Sequence, residues 1–294
     1  MNKINLTGVI DMHVHSAPDI RKRSLNDIQL SEEAERVGAR AIVIKSHLVP
    51  TMDRAWLVNQ MNPAVTMFGS ITLNESVGGI NPYAVETALN LGAKVVWMPT
   101  VSSTKHRELT GQSGGIETVK GGKVIPPLVD VLKLIAEKNA VLATGHLSSE
   151  EIFVVVEEAR KQGVEKIVVT HPEFFVVNMS IQEQKRIVAD YQVYLERCYA
   201  QPIGGGKYKS NLADNLRAIE EVGYESTIVS TDGGQVENPI WSQALTEYIQ
   251  YLADHGVPNH ALDMMTKETP AKLLDLEIFK EGDLKSSCVE SILK

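Results

Sequence analysis

The residues with the most chemistry in this chain are His13 and His15, two positions apart in the run VIDMHVH. Residues two apart on a strand share a face, so both imidazoles would point the same way. Two imidazoles joined by further imidazoles and a carboxylate make a nitrogen–oxygen donor set that suits Zn²⁺, with one position left for water. Further donors are at hand. His47 in KSH, His146 in TGH, His171 in THP and Asp232 in STDGG each close an apolar, strand-like run. Five of the eight histidines therefore end strand-like runs, and His106 lies in a long connection after another. Any one of them alone reads equally well as a core or surface histidine. It is their common position that points to a site.

The elements that must hold these residues repeat along the chain. EEAERVGARAIVIKSH, ETALNLGAKVVWMPT, EEARKQGVEKIVVTHP and AIEEVGYESTIVSTDGG each combine a helix, a glycine (Gly38, Gly92, Gly163 or Gly223) and a β-branched run. Glycine past a helix end adopts the left-handed conformation without a Cβ penalty and turns the chain into the next strand. Continuous apolar runs such as AIVI, KVVW, KIVV and STIV read as strands buried on both faces, as in a parallel sheet under helices. Four more strands are expected at 9–15, 66–74, 140–146 and 193–198, with Asn139 replacing glycine after a helix over 128–138. Eight strands alternating with helices predict a single (β/α)₈ TIM barrel over residues 1–276, ending in helices over 238–276. An open doubly wound sheet is the alternative, but its glycine-rich first turn is missing after HVHSAPD. In a barrel the strand ends converge on one mouth, where catalytic residues sit. Two long connections, 101–126 and 199–210, would lie on that face as surface loops or as a lid. A polar tail, 277–294, is expected to be peripheral.

With VIDMHVH, TGH, THP and STD in this order, the chain resembles the amidohydrolase superfamily from residue 9 to about 276. The resemblance implies His13, His15, His146, His171 and Asp232 around one or two divalent ions, Zn most often, Mn or Fe otherwise. It departs at the fourth strand, which ends Trp97-Met98-Pro99-Thr100 without the bridging lysine or glutamate of binuclear members. Lys45, Glu75 and Glu196 are the other candidates for a bridge, and Lys45 shares a face with His47. In a mononuclear site the resemblance gives the ion to His13, His15, His146 and Asp232, with His171 contacting substrate. GGINPYAVE, VVWMPT and TGHLSSEE look like a subgroup of hydrolases of unknown substrate.

The expected reaction is hydrolysis of a C–N or C–O bond in an amide, cyclic amide, ester or lactone by metal-activated water. Asp232 is the expected proton acceptor, with His171 and Lys45 as the other catalytic candidates. Arg21, His47 and His106 are candidates for substrate binding, and Lys45 and Arg23 could also recognise a carboxylate or other anion on the substrate. Arg21 and Arg23, in PDIRKRS, also read as a solvated basic loop, Cys198 as a small core residue, and Asp11 as a support beneath His13. Lys45, within a buried strand, needs a counter-charge such as Asp11 or Glu196. Phosphoester hydrolysis, deamination or decarboxylation could use the same site. A metal-free Schiff-base lyase with Lys45 as nucleophile, or a non-catalytic binding barrel, are the rivals outside metal chemistry.

Composition narrows the partners. The net charge of -8 and the lack of a basic patch argue against nucleic acid and for a small-molecule substrate. The longest apolar runs are strand-sized, far short of the ~20 residues of a membrane span. The opening MNKINLTGVIDMHVH has no signal-like apolar segment, and two cysteines, Cys198 and Cys288, cannot make a disulfide scaffold. A cytoplasmic protein is expected, and homo-oligomerisation is left open.

Overall fold

The computed structural model describes residues 4–277, so the expected tail lies, beyond Glu277, outside the described residues. Strand β1 (Ile10–Val14) leads through α1 (Asp27–Arg36) to β2 (Ala41–Ile44), and α2 (Met52–Met61) leads to β3 (Thr66–Phe68) and β4 (Ser70–Thr72). Helix α3 (Pro82–Asn90) precedes β5 (Val95–Trp97). The first long connection holds α4 (Thr104–Leu109) and a hairpin of β6 (Val119–Lys120) and β7 (Lys123–Val124). Then come α5 (Pro126–Glu137), β8 (Val141–Ala143), α6 (Ser149–Lys161), β9 (Lys166–Thr170), α7 (Ile181–Tyr191) and β10 (Tyr194–Cys198). The second long connection is a hairpin, β11 (Ala200–Gly204) and β12 (Lys207–Ser210), followed by α8 (Leu212–Val222) and β13 (Thr227–Ser230). Helices α9 (Trp241–Asp254), α10 (Asn259–Asp263) and α11 (Thr269–Leu273) follow, as expected for 238–276. The first long connection thus carries a short helix and a small hairpin, and the second is a hairpin.

Local signals account for the alternation. Asn26, Ser148 and Ser180 cap α1, α6 and α7 in capping boxes with Gln29, Glu151 and Glu183. Past the helices, Gly38, Gly92 and Gly163 have φ of 72°, 94° and 85°, and Asn139 has φ 50°, the left-handed exits the repeats predict, whereas Gly223, with φ 107° and ψ 153°, leaves its helix in an extended conformation that also favours glycine. Helix α5 starts two residues before the expected 128, because Pro126 and Pro127 suit the first turn of a helix.

The expected third strand, 66–74, is divided. At Gly69 a Cβ would lie 2.4 Å from Met52 Cα, so the backbone that opens α2 presses directly on the strand. Before this point β3 pairs with β2, and beyond it β4 pairs with β5. Two sheets result: β1-β2-β3, and β13-β10-β9-β8-β5-β4, with every ladder in them parallel. At the opposite seam, Val14 and Gly233 form an isolated parallel bridge, and His15 N–H donates to Gly233 O at 2.8 Å. The hydrogen-bonded ladder therefore does not run unbroken through all eight expected strands.

Side chains alternate across the strands. Ile10, Met12, Ala41, Val43, Val95, Trp97, Val141, Ala143, Val168 and Ile228 form an inner cluster, joined by Ala271, Leu273 and Leu274 from the C-terminal helices. Their neighbours, including Ile42, Ile44, Val96, Leu142, Ile167 and Val229, pack outward against the helices in two larger clusters. No described helix is long and apolar enough to cross a membrane.

Candidate metal centre

The strand ends bring five imidazoles into a ring. Centroids are 5.5 Å apart from His13 to His15, 4.7 Å from His15 to His47 and 6.0 Å from His47 to His146. His146 to His171 is 5.0 Å, and His171 to His13 closes the ring at 6.0 Å. Asp232 reaches into it, with Oδ1 3.1 Å from both His13 Nε2 and His15 Nε2. All five histidines except His47 are buried, His47 being half-buried.

Several of these residues are braced from behind. Asp11 accepts from His13 N–H at 3.0 Å, Thr231 Oγ1 at 2.7 Å and Trp241 Nε1 at 2.9 Å, so it ties β1 to the chain after β13 beneath the site. His47 Nδ1 lies 2.8 Å from Thr100 Oγ1, and Asn74 accepts from Thr100 N–H while donating to Thr100 Oγ1 and His47 O. Gly145, before His146, has φ 60°, and a Cβ there would meet Met98 O at 2.4 Å. His171 and Asp232, the residues that leave β9 and β13, have φ of 29° and 48°. Such left-handed non-glycine backbone costs on the order of 1–3 kcal/mol and gathers at functional sites.

Glu196 Oε2 sits 2.9 Å from His13 Nδ1, and Lys45 Nζ lies 2.9 Å from His13 Nε2 and 4.2 Å from the Trp97 ring centroid. The expected ion pair of Lys45 with Asp11 or Glu196 is absent among the described residues. His13 and the Trp97 ring take its place, because β1 presents His13, not Asp11, to the ammonium. Glu75 is not part of the site: its half-exposed carboxylate pairs with Arg107 at 2.6 Å. His106, on α4, has Nδ1 2.8 Å from His146 Nδ1. Arg21 is exposed at the mouth, whereas Arg23, read from sequence as part of a solvated loop, is turned inward. Its side chain is 3% exposed, pairs with Asp19 at 2.7 Å and reaches 3.3 Å from His15 Nδ1.

Burial dominates the electrostatics. It pushes His15 and His171 down to about 3, and His47 and His146 well below the usual imidazole range, which keeps these rings neutral and able to coordinate a cation. For His13 burial acts in the same direction, but the charges of Asp232 and Glu196 prevail over it and raise the ring. Asp232 stands well below the carboxylate range: burial opposes this, and His13 with the two imidazole hydrogen bonds outweighs it. Burial lowers the Lys45 ammonium.

Several features fit a divalent cation. Both ring nitrogens of buried His171 lack a hydrogen-bond partner, and so does Glu196 Oε1. Polar atoms orphaned in the interior cost on the order of 1–3 kcal/mol each unless something satisfies them. Among the described residues, the donors gathered most closely belong to His13, Cys198 and Asp232, all within 4.8 Å of one another. Cys198 was not expected from the sequence to be more than a core residue. The set His13, His15, His146, His171 and Asp232 surrounds the same mouth less tightly.

Above these groups opens a cavity of about 760 Å³, lined among others by Arg21, Arg23, His47, His106, His146 and Asp232. Phe174, Phe175 and Ile203 give it an apolar wall, and Lys22 and Lys209 add positive charge at its rim.

The comparisons with known proteins agree on the architecture. An amidohydrolase from Pseudomonas aeruginosa is 14% identical with a TM-score of 0.66, over 91% of this chain and 95% of that one. A candidate 2-pyrone-4,6-dicarboxylic acid hydrolase from Pseudomonas putida is 16% identical with a TM-score of 0.63, over 94% and 100%. A 2,6-dihydroxybenzoate decarboxylase from Rhizobium is 10% identical with a TM-score of 0.54, over 92% and 99%. At such identities the likeness is one of fold. No curated protein matches the sequence. A family model covers residues 8–196, more than half of the sequence, and the chain belongs to that family, DUF6282, a family of unknown function.

Proposed function

We propose that this chain is a metal-dependent hydrolase on an eight-stranded (β/α)₈ barrel, cleaving a C–N or C–O bond in a small, carboxylate-bearing amide, ester or lactone. The observation that carries the reading is the ring of five imidazoles around Asp232, with both nitrogens of His171 idle. The barrel part of the reading rests on the Val14–Gly233 bridge and on β3 and β4 being two halves of one strand across Gly69.

His13, His15, His146, His171 and Asp232 would hold the ion, with Glu196 available for a second one. A bound divalent cation would polarise the scissile carbonyl and lower the pKa of a water to ~7. Asp232 supplies the base. Its carboxylate is held ionised, lines the cavity and hydrogen-bonds two imidazoles, so it can take a proton from water and pass it to the leaving group. The products are a carboxylic acid and an amine or alcohol, and the water is consumed. Arg21, His47 and His106 line the path to this carboxylate and would bind the substrate's anionic group, with Phe174 and Phe175 against its apolar part. Lys45 is fully buried behind His13 and does not line the cavity, so an imine at its nitrogen finds no support. It would instead act through His13, holding the ring in place.

Decarboxylation is the second reading. A basic rim facing an apolar aromatic wall would bind an aromatic carboxylate equally well, and the Rhizobium neighbour of like fold bears the name of such an enzyme.

Metal content by plasma mass spectrometry, on protein purified without chelators, tests the reading. One or two equivalents of Zn, Mn or Fe, lost in a His13→Ala/His15→Ala variant, are expected. A chain that stays empty in excess metal would remove it. A panel of lactones, cyclic amides, esters and hydroxybenzoates, read for acid and for CO₂ release, would then separate hydrolysis from decarboxylation.

A further inference from the structure

Cys198 is 1% exposed at the end of β10, two residues beyond Glu196. The strand alternation puts both side chains on the face that looks at His13. Cys198 Sγ lies 3.8 Å from His13 Nδ1, Glu196 Oε2 lies 2.9 Å from the same atom, and His13 Nε2 lies 3.1 Å from Asp232 Oδ1. Bond lengths of about 2.3 Å to sulfur and about 2.0–2.2 Å to nitrogen and oxygen in a tetrahedron put neighbouring donors about 3.3–3.6 Å apart. The Cys198 and Glu196 contacts fall on Nδ1 and the Asp232 contact on Nε2; with one donor atom taken from each residue, His13, Cys198 and Asp232 lie within 4.8 Å of one another, a spacing that a bound ion would tighten.

We infer that Cys198 is a metal ligand, its thiolate joining His13 and Asp232 around one divalent cation. This rests on the metal-enzyme reading above and adds to it a sulfur donor that the resemblance does not contain. Two observations besides the cysteine support the place. His171, 2% exposed and stacked 6.0 Å from His13, has two unpartnered ring nitrogens. Glu196 and Asp232 both contact the His13 ring with Lys45 as the ammonium there, one more buried negative than positive charge, which a dication offsets. Binding breaks the S–H bond, forms the S–metal bond and releases one proton to solvent. Thiolate is a soft donor, so the site should favour Zn²⁺ and Co²⁺ over Mn²⁺ and Mg²⁺.

The test uses the full chain, stripped with chelator and titrated with Co²⁺. A near-ultraviolet thiolate-to-cobalt band saturating with metal is expected in the native chain and in Cys288→Ser, a control outside the described residues. In Cys198→Ser that band should vanish while visible ligand-field absorption persists. Zn²⁺ binding in the variant should weaken at least about tenfold, and Mn²⁺ binding less. A band unchanged in Cys198→Ser overturns the inference, as does visible absorption in the native chain with no near-ultraviolet band. In that last case the metal-enzyme reading stands. A native chain that takes up no Co²⁺ overturns both. If Cys198→Ser fails to fold by circular dichroism, X-ray absorption of the Zn²⁺-loaded native chain decides: a sulfur neighbour at about 2.3 Å supports the assignment, and a shell of nitrogen and oxygen alone overturns it.

Discussion

Replacing Arg197 by methionine tests how the site's loop is held. Arg197 is fully buried on β10 and points away from the mouth. Its guanidinium pairs with Glu173 and donates to Gln184 Oε1 at 2.9 Å and Thr227 Oγ1 at 3.3 Å. Glu173 comes two residues after His171, in the turn where Phe174 N–H donates to His171 O at 2.9 Å. Methionine keeps most of the volume and removes the charge, leaving Glu173 without its partner in the interior. Breaking a buried pair from one side costs about 3–5 kcal/mol. At about 2–4 °C per kcal/mol for a chain of this order of size, Tm should fall by about 6–20 °C. Removing both charges is different, since a buried ion pair and a neutral pair of similar shape are often nearly equal in stability. Glu173→Gln/Arg197→Met should therefore recover more than half of the loss. Thermal and urea unfolding followed by circular dichroism measure both. A single variant that loses less than about 1 kcal/mol, or a double variant less stable than the single, would refute the view that this pair is the clamp on the His171 turn.

Three more outcomes follow from the geometry. Asp232→Asn should lower kcat by about 10²–10⁴-fold while plasma mass spectrometry still finds most of the metal, and activity within tenfold of native would exclude Asp232 as the base. Gly69→Ala drives a Cβ into the backbone of Met52 and should cost about 1–3 kcal/mol or more, read as a lower urea midpoint; an unchanged midpoint would mean that the β3–β4 break is not set by that contact. Chelator-stripped protein should unfold earlier than protein in metal at a thousand times Kd by about 4 kcal/mol, and coincident melting curves would show that no ion binds the folded state.

What could be read from the sequence was whatever depends on one strand at a time. The glycine and Asn139 exits depend on local backbone, and the histidines were found because each follows its own strand-like run. Contacts between distant strands were not legible. Cys198 meets His13 across 185 positions, and although Glu196 two residues before it shares its face, the run itself reads Cys198 as a small core residue. The run TMFGSIT reads as one continuous strand, and Gly69 is the one sign in it of the Met52 backbone that presses there. Of the two readings of Arg23, the solvated loop failed for the same reason: PDIRKRS has that composition, and only its return to His15 and Asp19 buries the guanidinium. Glu75 failed the other way, adjacent to a strand end in sequence but drawn outward by Arg107.

The left-handed backbone at His171 and Asp232 joins fold and site in one argument. Both residues leave a strand by a conformation that a β-branched or bulky side chain avoids, and both carry a donor that must face the mouth at once. Continuing each strand by one more extended residue would turn that side chain to the opposite face, because side chains alternate. The left-handed step breaks the alternation where a donor is needed directly after Thr170 and Thr231, both of which are buried and serve as hydrogen-bond partners, Thr170 Oγ1 to Gly145 N–H and Thr231 Oγ1 to Asp11. Strain of about 1–3 kcal/mol at each position has to be offset by the packing around it. A cation joining His171 and Asp232 would add to that offset, so these two residues should be the ones whose backbone order depends most on metal. Amide hydrogen exchange offers the check: protection at the two strand exits should rise on adding Zn²⁺ while the β1 seam at Asp11, already held by Thr231 and Trp241, changes little. Equal protection with and without metal at all three would mean that packing alone carries the strain.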